Sequence, residues 1–329
     1  MITRERPSSV LRDPFFPVER QSIFLEDVRC PYRKIDGYKA IVDKTTGCTL
    51  SVVSNKYRLI LNKEAYEWAD HVIKGIFIGK TLKDFEFFNI LMPKSKASCK
   101  IDLIIPNHFY VLFENPNESF IPFLRITNSY NRTKPLKYEI GFCRWICKNG
   151  TIFGQKGVSF AMSHSEPINL KEIQRLTEMG RNQIGDISAL WKVIENKMNI
   201  LRQIELPITA VLPIYCKAYS IQIKKSEVSD VQKTIYTSRV KQIRKAGKEY
   251  FKDLGNNAYA MMNVLSDYAS FPEWTQNPAN YVDGYQRKVG KWVDEIIEEY
   301  KKGNFSLYKH IGEDFQNTAY FLESLIPQE

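Results

Sequence analysis

Near residue 167 the chain changes its hydrophobic period. Before that point apolar residues come in short β-branched and aromatic runs. After it they recur every three or four positions. A period of two belongs to strands and one of 3.6 to helices. A chain that carries these patterns in succession, rather than in alternation, is expected to be α+β. The expected architecture is a mainly antiparallel sheet in the N-terminal half with a helix after its first hairpin, then a helical C-terminal half. As domains this reads as a sheet-rich unit over 1–166 and a helical region over 167–329, packed on it or extending from it.

The first hairpin is expected from Tyr38–Val42, the loop Asp43–Gly47 and Thr49–Ser54. Ala65, Trp68, Ala69, Val72 and Ile73 then fall at helical spacing, with Asn62 as the expected N-cap. Strands are expected over 85–92, 98–105, 120–128, 138–147 and 151–163, with Asn149-Gly150 as the turn between the last two. Helices are expected over about 169–203, 207–223, 226–250, 256–270, 283–303 and 313–326, punctuated by Pro207, Gly255, Pro272 and Gly303.

A chain of 329 residues builds a core without staples. Its cysteines, at 30, 48, 99, 143, 147 and 216, are too sparse for a disulfide scaffold and read as buried or free thiols. Met1–Arg20 carries Arg4, Arg6, Arg12 and Arg20 broken by prolines, which reads as a basic arm or a lead-in strand. It lacks the apolar stretch of a secretion signal, and no apolar run reaches the roughly 18 residues of a membrane helix. The expected location is a reducing, cytoplasmic compartment, without membrane contact.

The chemical motifs fail on spacing. Lys74–Thr81 resembles a phosphate-binding loop, but three residues stand between its glycines where four are needed, and a helix precedes it. Gly154-Gln155-Lys156-Gly157 resembles a backbone-clamping glycine loop, yet it sits among strands rather than between helices. His71, His108, His164 and His310 are scattered and form no zinc-type pair with a cysteine. No nucleophile elbow is present. Asp102 and Glu139 read as solvated strand residues or halves of salt bridges. No catalytic centre, metal or cofactor is expected.

What remains is charge. The formal net charge is +10, which attracts polyanions ahead of any specific contact. The segment 231–252 holds Lys233, Arg239, Lys241, Arg244, Lys245, Lys248 and Lys252 against one acid, Glu249. As a helix it places Lys241, Arg244, Lys245 and Lys248 on one face, with Val240, Ile243 and Phe251 towards another. In the strand region Arg125, Arg132, Lys134, Lys137, Arg144, Lys148 and Lys156 interleave with Phe123, Tyr130, Tyr138, Trp145 and Phe153. Cations beside exposed rings suit single strands: the cations track phosphate and the rings, here Tyr130, Tyr138 and Trp145, stack bases. Alternation sets Arg144 and Trp145 on opposite faces, so only about half of these rings are expected at the surface. Asp294, Glu295, Glu298 and Glu299 give the C-terminal region the opposite sign, which suggests self-association or a protein partner.

Three segments carry a family resemblance. They are Thr46-Gly47 with Leu50–Leu59 and the helix at Glu64; Thr127–Arg132 leading to Arg144-Trp145-Ile146-Cys147-Lys148-Asn149-Gly150; and Asn256–Tyr268 with Tyr281–Trp292 beyond. Together they resemble the phage- and plasmid-borne family of domain of unknown function 932. The chain departs from it at Asn131-Arg132, where the family pattern has aspartate-glycine. The resemblance implies a mobile-element gene that neighbours recombination and anti-restriction functions, with a sheet-plus-helix pattern remotely similar to phage single-strand annealing proteins. The resulting expectation is a single-stranded DNA-binding or annealing protein that hydrolyses no nucleotide and assembles into a ring or filament. The alternative is a counter-defence or defence component that binds a host or phage protein. A nuclease assembled from distant residues stands third.

Overall fold

A computed structural model of the chain describes residues 13–27, 30–145, 149–151, 159–165, 169–223, 228–272, 275 and 281–326. Its strands form two sheets. In the smaller, β1 (Val18–Asp27) pairs with β2 (Cys30–Asp43), which pairs with β3 (Thr49–Ser54), all antiparallel. The β2–β3 pairing begins only at Tyr38, so the outer part of the β1–β2 ribbon stands without a third strand. The ribbon begins within the Met1–Arg20 segment and runs well beyond the first hairpin strand expected from the sequence.

The larger sheet is ordered β10-β8-β7-β5-β4, with β6 added to β7 and β9 to β8. Its strands are β4 (Glu86–Leu91), β5 (Ser98–Ile104), β6 (Tyr110–Leu112), β7 (Asn115–Ser129), β8 (Leu136–Arg144), β9 (Asn149–Thr151) and β10 (Ser159–Met162). Between the two sheets in sequence lies α1 (Asn62–Ile76). The helical half comprises α2 (Leu170–Ile184), α3 (Ile187–Gln203), α4 (Val211–Tyr219), α5 (Asp230–Leu254), α6 (Ala258–Ser270), α7 (Val282–Lys301), α8 (Leu307–Ile311) and α9 (Glu313–Ser324). The fold is α+β, with helices packed on the sheet rather than extending from it.

Period-two alternation decides which helix each sheet face meets. Leu124, Ile126, Tyr138, Ile140 and Phe142 point into a core they share with α1 and the helical half, and that core runs continuously from Ile60 to Leu322. Tyr138 anchors this face by donating its hydroxyl to the Ala65 carbonyl of α1 at 2.8 Å. Gly75 lets α1 lie close against α2, since a Cβ there would stand 2.4 Å from the Thr177 methyl. That close packing is the role of one of the two glycines in the rejected phosphate-loop motif. On the opposite face, which also carries Thr127 and Lys137, Arg125 and Glu139 meet the first turns of α7, while α6 runs along the β9 edge through a Thr151–Ser266 hydroxyl pair at 2.8 Å.

Local expectations differ in three places. Asn62 is not the cap of α1; Leu61 occupies that position, and Glu64 accepts from its N–H at 3.2 Å. Asn62 is instead buried, donating to Pro14 O at 2.8 Å and accepting from Asn128 at 2.9 Å, which ties the lead-in segment to β7. Asn149-Gly150 is not the hairpin turn. Asn149 pairs with Arg144 and Gly150 with Cys143, so both residues lie in the β8–β9 ladder. The helix expected over 169–203 is two helices, broken where Gly185 takes φ 73° and Asp186 caps α3 by accepting from the Ala189 N–H at 2.8 Å.

Arg132 holds φ 60° in the β7–β8 connection. A left-handed conformation costs a non-glycine residue about 1–2 kcal/mol, part of which glycine gives back as unfolded-state entropy. Arg132→Gly is therefore expected to stabilise the protein by up to about 1 kcal/mol in urea unfolding.

Candidate nucleic-acid interface

Among the described strand-region cations, the two arginines of β7 and β8 face inward rather than lining an open groove. Arg125 is 1% exposed, and its Nε and Nη2 donate to the two Asp102 carboxylate oxygens at 2.6 and 2.8 Å. Its Nη1 donates to Gln286 Oε1 at 2.8 Å. Arg144 is also buried, gripping Glu118 through Nε at 2.9 Å and through Nη2, while Tyr259 donates to the same carboxylate at 2.5 Å. A guanidinium closed off in this way cannot track a phosphate backbone. Two of the stacking rings fail similarly. Tyr138 lies in the core, and Tyr130 is buried, its hydroxyl accepting from the Asn62 N–H at 3.1 Å. Trp145 is partly exposed, with Phe109 at 5.2 Å and Phe88 at 6.4 Å between ring centres. Arg132 is exposed, and Lys134 and Lys137 are half-buried. Lys148 and Lys156, with the Gly154–Gly157 motif, lie outside the described residues.

The buried cations belong to a charged layer between sheet and helix. Register aligns Asp102, Arg125 and Glu139 across β5, β7 and β8, and beside them Lys100, Thr127 and Lys137. From above, α7 supplies Asp283, Gln286 and Arg287, which share one helix face at three- and four-residue spacing. Arg287 donates to Glu139 at 2.8 and 3.0 Å and to Asp283 at 2.9 Å. Asp102 and Glu139 are thus halves of ion pairs, but buried ones. Lys100, Asp283, Gln286 and Arg287 escaped the sequence reading. The available signal was Lys100-x-Asp102 alternating with apolar Cys99, Ile101 and Leu103, a pattern that ordinarily marks a solvent face.

Lys100 is 3% exposed, and burial, reinforced by the Lys134 and Arg125 charges, outweighs Asp283 and pushes its ammonium down to about 7. Its unfolded value is near 10.5, so between these limits the unfolded chain binds more protons and stability rises with pH. Urea unfolding at pH 7 and pH 9 is expected to show this rise in the wild-type chain and a smaller one in Lys100→Met.

The basic helix behaves differently. Lys241, Arg244, Lys245 and Lys248 on α5 are exposed, while Val240, Ile243 and Phe251 are buried. Gly247 brings α5 close to α4, a Cβ there meeting the Val211 methyl at 3.2 Å, so the cations stand on a firmly seated helix. Arg244 reaches Glu323 of α9 at 3.2 Å. Glu323 also lines a groove of about 480 Å³ whose walls include Tyr308 and Tyr320, 64% and 61% exposed. The sequence reading passed over both tyrosines, since single aromatics on short helices carry no pattern.

The acidic segment is largely matched within the molecule. Asp294 pairs with Lys197 at 2.6 Å, Glu295 with Lys291 at 3.5 Å, Glu298 with Lys302 at 2.7 Å and Glu299 with Lys217 at 3.9 Å, and the His310 imidazole hydrogen-bonds Glu299 at 2.7 Å. Comparison with known proteins yields no match to a family model, to a curated protein or to a solved structure.

Removing one partner of a buried ion pair leaves the other charged and unsatisfied, at a cost of about 3–5 kcal/mol. Arg125→Ala is therefore expected to lower unfolding free energy by about that amount in chemical denaturation. Any loss of ligand binding by this variant should follow its loss of folded protein.

Proposed function

We propose that this protein binds nucleic acid, with single strands preferred, through the exposed face of α5 and the tyrosine-walled groove beside it. The observation that carries the reading is Lys241, Arg244, Lys245 and Lys248 standing together at the surface of one anchored helix. Like charges at these spacings repel, and a polyanion relieves that repulsion while releasing its own counterions. Tyr308 and Tyr320 add exposed ring faces in the groove that Glu323, the partner of Arg244, also lines, and rings near cations favour unpaired bases. Holding backbone without consuming a nucleotide suits annealing in recombination or replication of a phage or other mobile element, the setting that the family resemblance implies. The protein acts in the host cytoplasm, and a ring or filament of copies extends the track along a strand.

A second reading, a counter-defence or defence component that binds a host or phage protein, draws on the outer β1–β2 ribbon. Phe24, Leu25 and Tyr32 are 55%, 51% and 74% exposed there, on a two-stranded segment of the kind that is marginal alone.

Fluorescence anisotropy with labelled single- and double-stranded oligonucleotides across a salt series tests the first reading. Lys241→Glu/Lys245→Glu/Lys248→Glu is expected to weaken binding and to flatten the log–log salt slope by about 0.7 per lost phosphate contact on single strands. Tyr308→Ala/Tyr320→Ala is expected to weaken single-strand binding by about 1–3 kcal/mol per stacked base while changing duplex binding little. Wild-type protein that binds neither oligonucleotide at low salt would sink this reading and leave the protein-binding one.

A further inference from the structure

We infer that the charged layer beneath the first turns of α7 is an oxyanion site that takes a phosphate group between Lys100, Thr127, Lys134 and Lys137. The layer holds more cations than carboxylates. Lys100, Arg125, Lys134, Lys137 and Arg287 face Asp102, Glu139 and Asp283. Two of the carboxylates are already engaged. Asp102 is gripped by both donors of Arg125, and Glu139 is held by Arg287 and by Lys137 at 3.1 Å.

Asp283 faces both Lys100 and Lys134. Its Oδ1 accepts from Arg287 at 2.9 Å, and the Lys100 and Lys134 ammoniums each stand 3.8 Å from its Oδ2. Two ammoniums thus share one carboxylate oxygen. The N-terminal end of α7 adds a further partial positive charge above them.

A second observation points to the same place. Thr127 lies in register between Lys100 and Lys137, is 1% exposed, and its Oγ1 has no hydrogen-bond partner among the described residues. Buried hydroxyls are nearly always bonded. A phosphate oxygen accepts from a hydroxyl and an ammonium alike, and would satisfy the group that the fold leaves unpaired. The donors also discriminate between anions. A planar carboxylate is best held by an arginine fork, and both arginine forks here already hold carboxylates, whereas lysines act as point charges on a tetrahedral phosphate. Entry is from the side of Lys134 and Arg287, whose side chains are 32% and 39% exposed, against 4% for Lys100. Lys100, pushed down to about 7 by burial among cations, gains most from an anion.

This site shares no residue with the α5 face. The ligand chemistry, a phosphate group, is common to small phosphate esters and to a nucleic-acid backbone. The test titrates inorganic phosphate into the full chain at pH 7 and constant ionic strength, set with chloride, reading calorimetric heat and thermal unfolding. One phosphate per chain is expected to bind and to raise the unfolding temperature. Lys134→Ala, at a partly exposed position, and Thr127→Val, close in shape, are each expected to weaken phosphate binding by about tenfold while remaining folded. The Lys241→Glu/Lys245→Glu/Lys248→Glu chain is expected to bind phosphate as the wild type does, which separates this site from the α5 reading. Displacement of phosphate by a short single-stranded oligonucleotide assigns the group to a backbone. Displacement by a phosphate monoester alone assigns it to a small ester. Phosphate that acts on wild type no differently from chloride, or binds both single variants as tightly as wild type, overturns the proposal.

Discussion

Arg125 and Asp102 make the contact on which the arrangement of the two halves depends. Both are almost fully buried, and both guanidinium donors facing the carboxylate are used. Stripping water from two charges offsets most of their attraction, so such a pair adds little net stability over apolar residues of the same size. Its effect is positional. The third donor of Arg125 reaches Gln286, and Arg287 reaches Glu139 on the neighbouring strand. Sliding α7 by one residue would separate these partners and leave charges buried alone, so the polar layer sets the register of helix on sheet. The opposite sheet face, packed through Leu124, Ile126 and Tyr138, supplies the apolar burial that pays for it.

The basic charge of the chain is therefore put to two different uses. In the sheet, cations face carboxylates across strand pairs and a helix, where water is largely excluded. On α5 they face solvent with few acids near, and the apolar side of the same helix holds them in place. Exposed cations of this kind interact over a Debye length of about 8–10 Å and are screened by salt, while buried ones act only on their immediate neighbours. The two populations would look alike in a count of lysines and arginines, yet only one is available to a large polyanion.

Particular residues show how far the fold and the site were legible in the sequence. The α5 face was legible because helical spacing sorts Lys241, Arg244, Lys245 and Lys248 from Val240 and Ile243 without reference to any other element. The hairpin of β8 and β9 was legible as a reversal but not in register. Asn149-Gly150 is a strong turn signal, yet pairing of Arg144 with Asn149 draws both residues into the strand. Arg125 and Arg144 were placed in a groove because alternation assigns a residue to a face and cannot say what covers that face. Asp283, more than 150 residues beyond Arg125, was invisible for the same reason.

What the sequence determined by itself was local: the two periods, the α+β class, the helix after the first hairpin, and the sidedness of α5. These follow from interactions between residues near one another in the chain. Tertiary structure alone decided which charged side chains meet solvent and which meet each other. It brought Arg244 to Glu323, which lines the groove walled by Tyr308 and Tyr320, and it closed α7 over Lys100 and Arg125. The reason is that solvation of a charge depends on everything within several ångströms of it, and in a folded chain those neighbours come mostly from distant sequence.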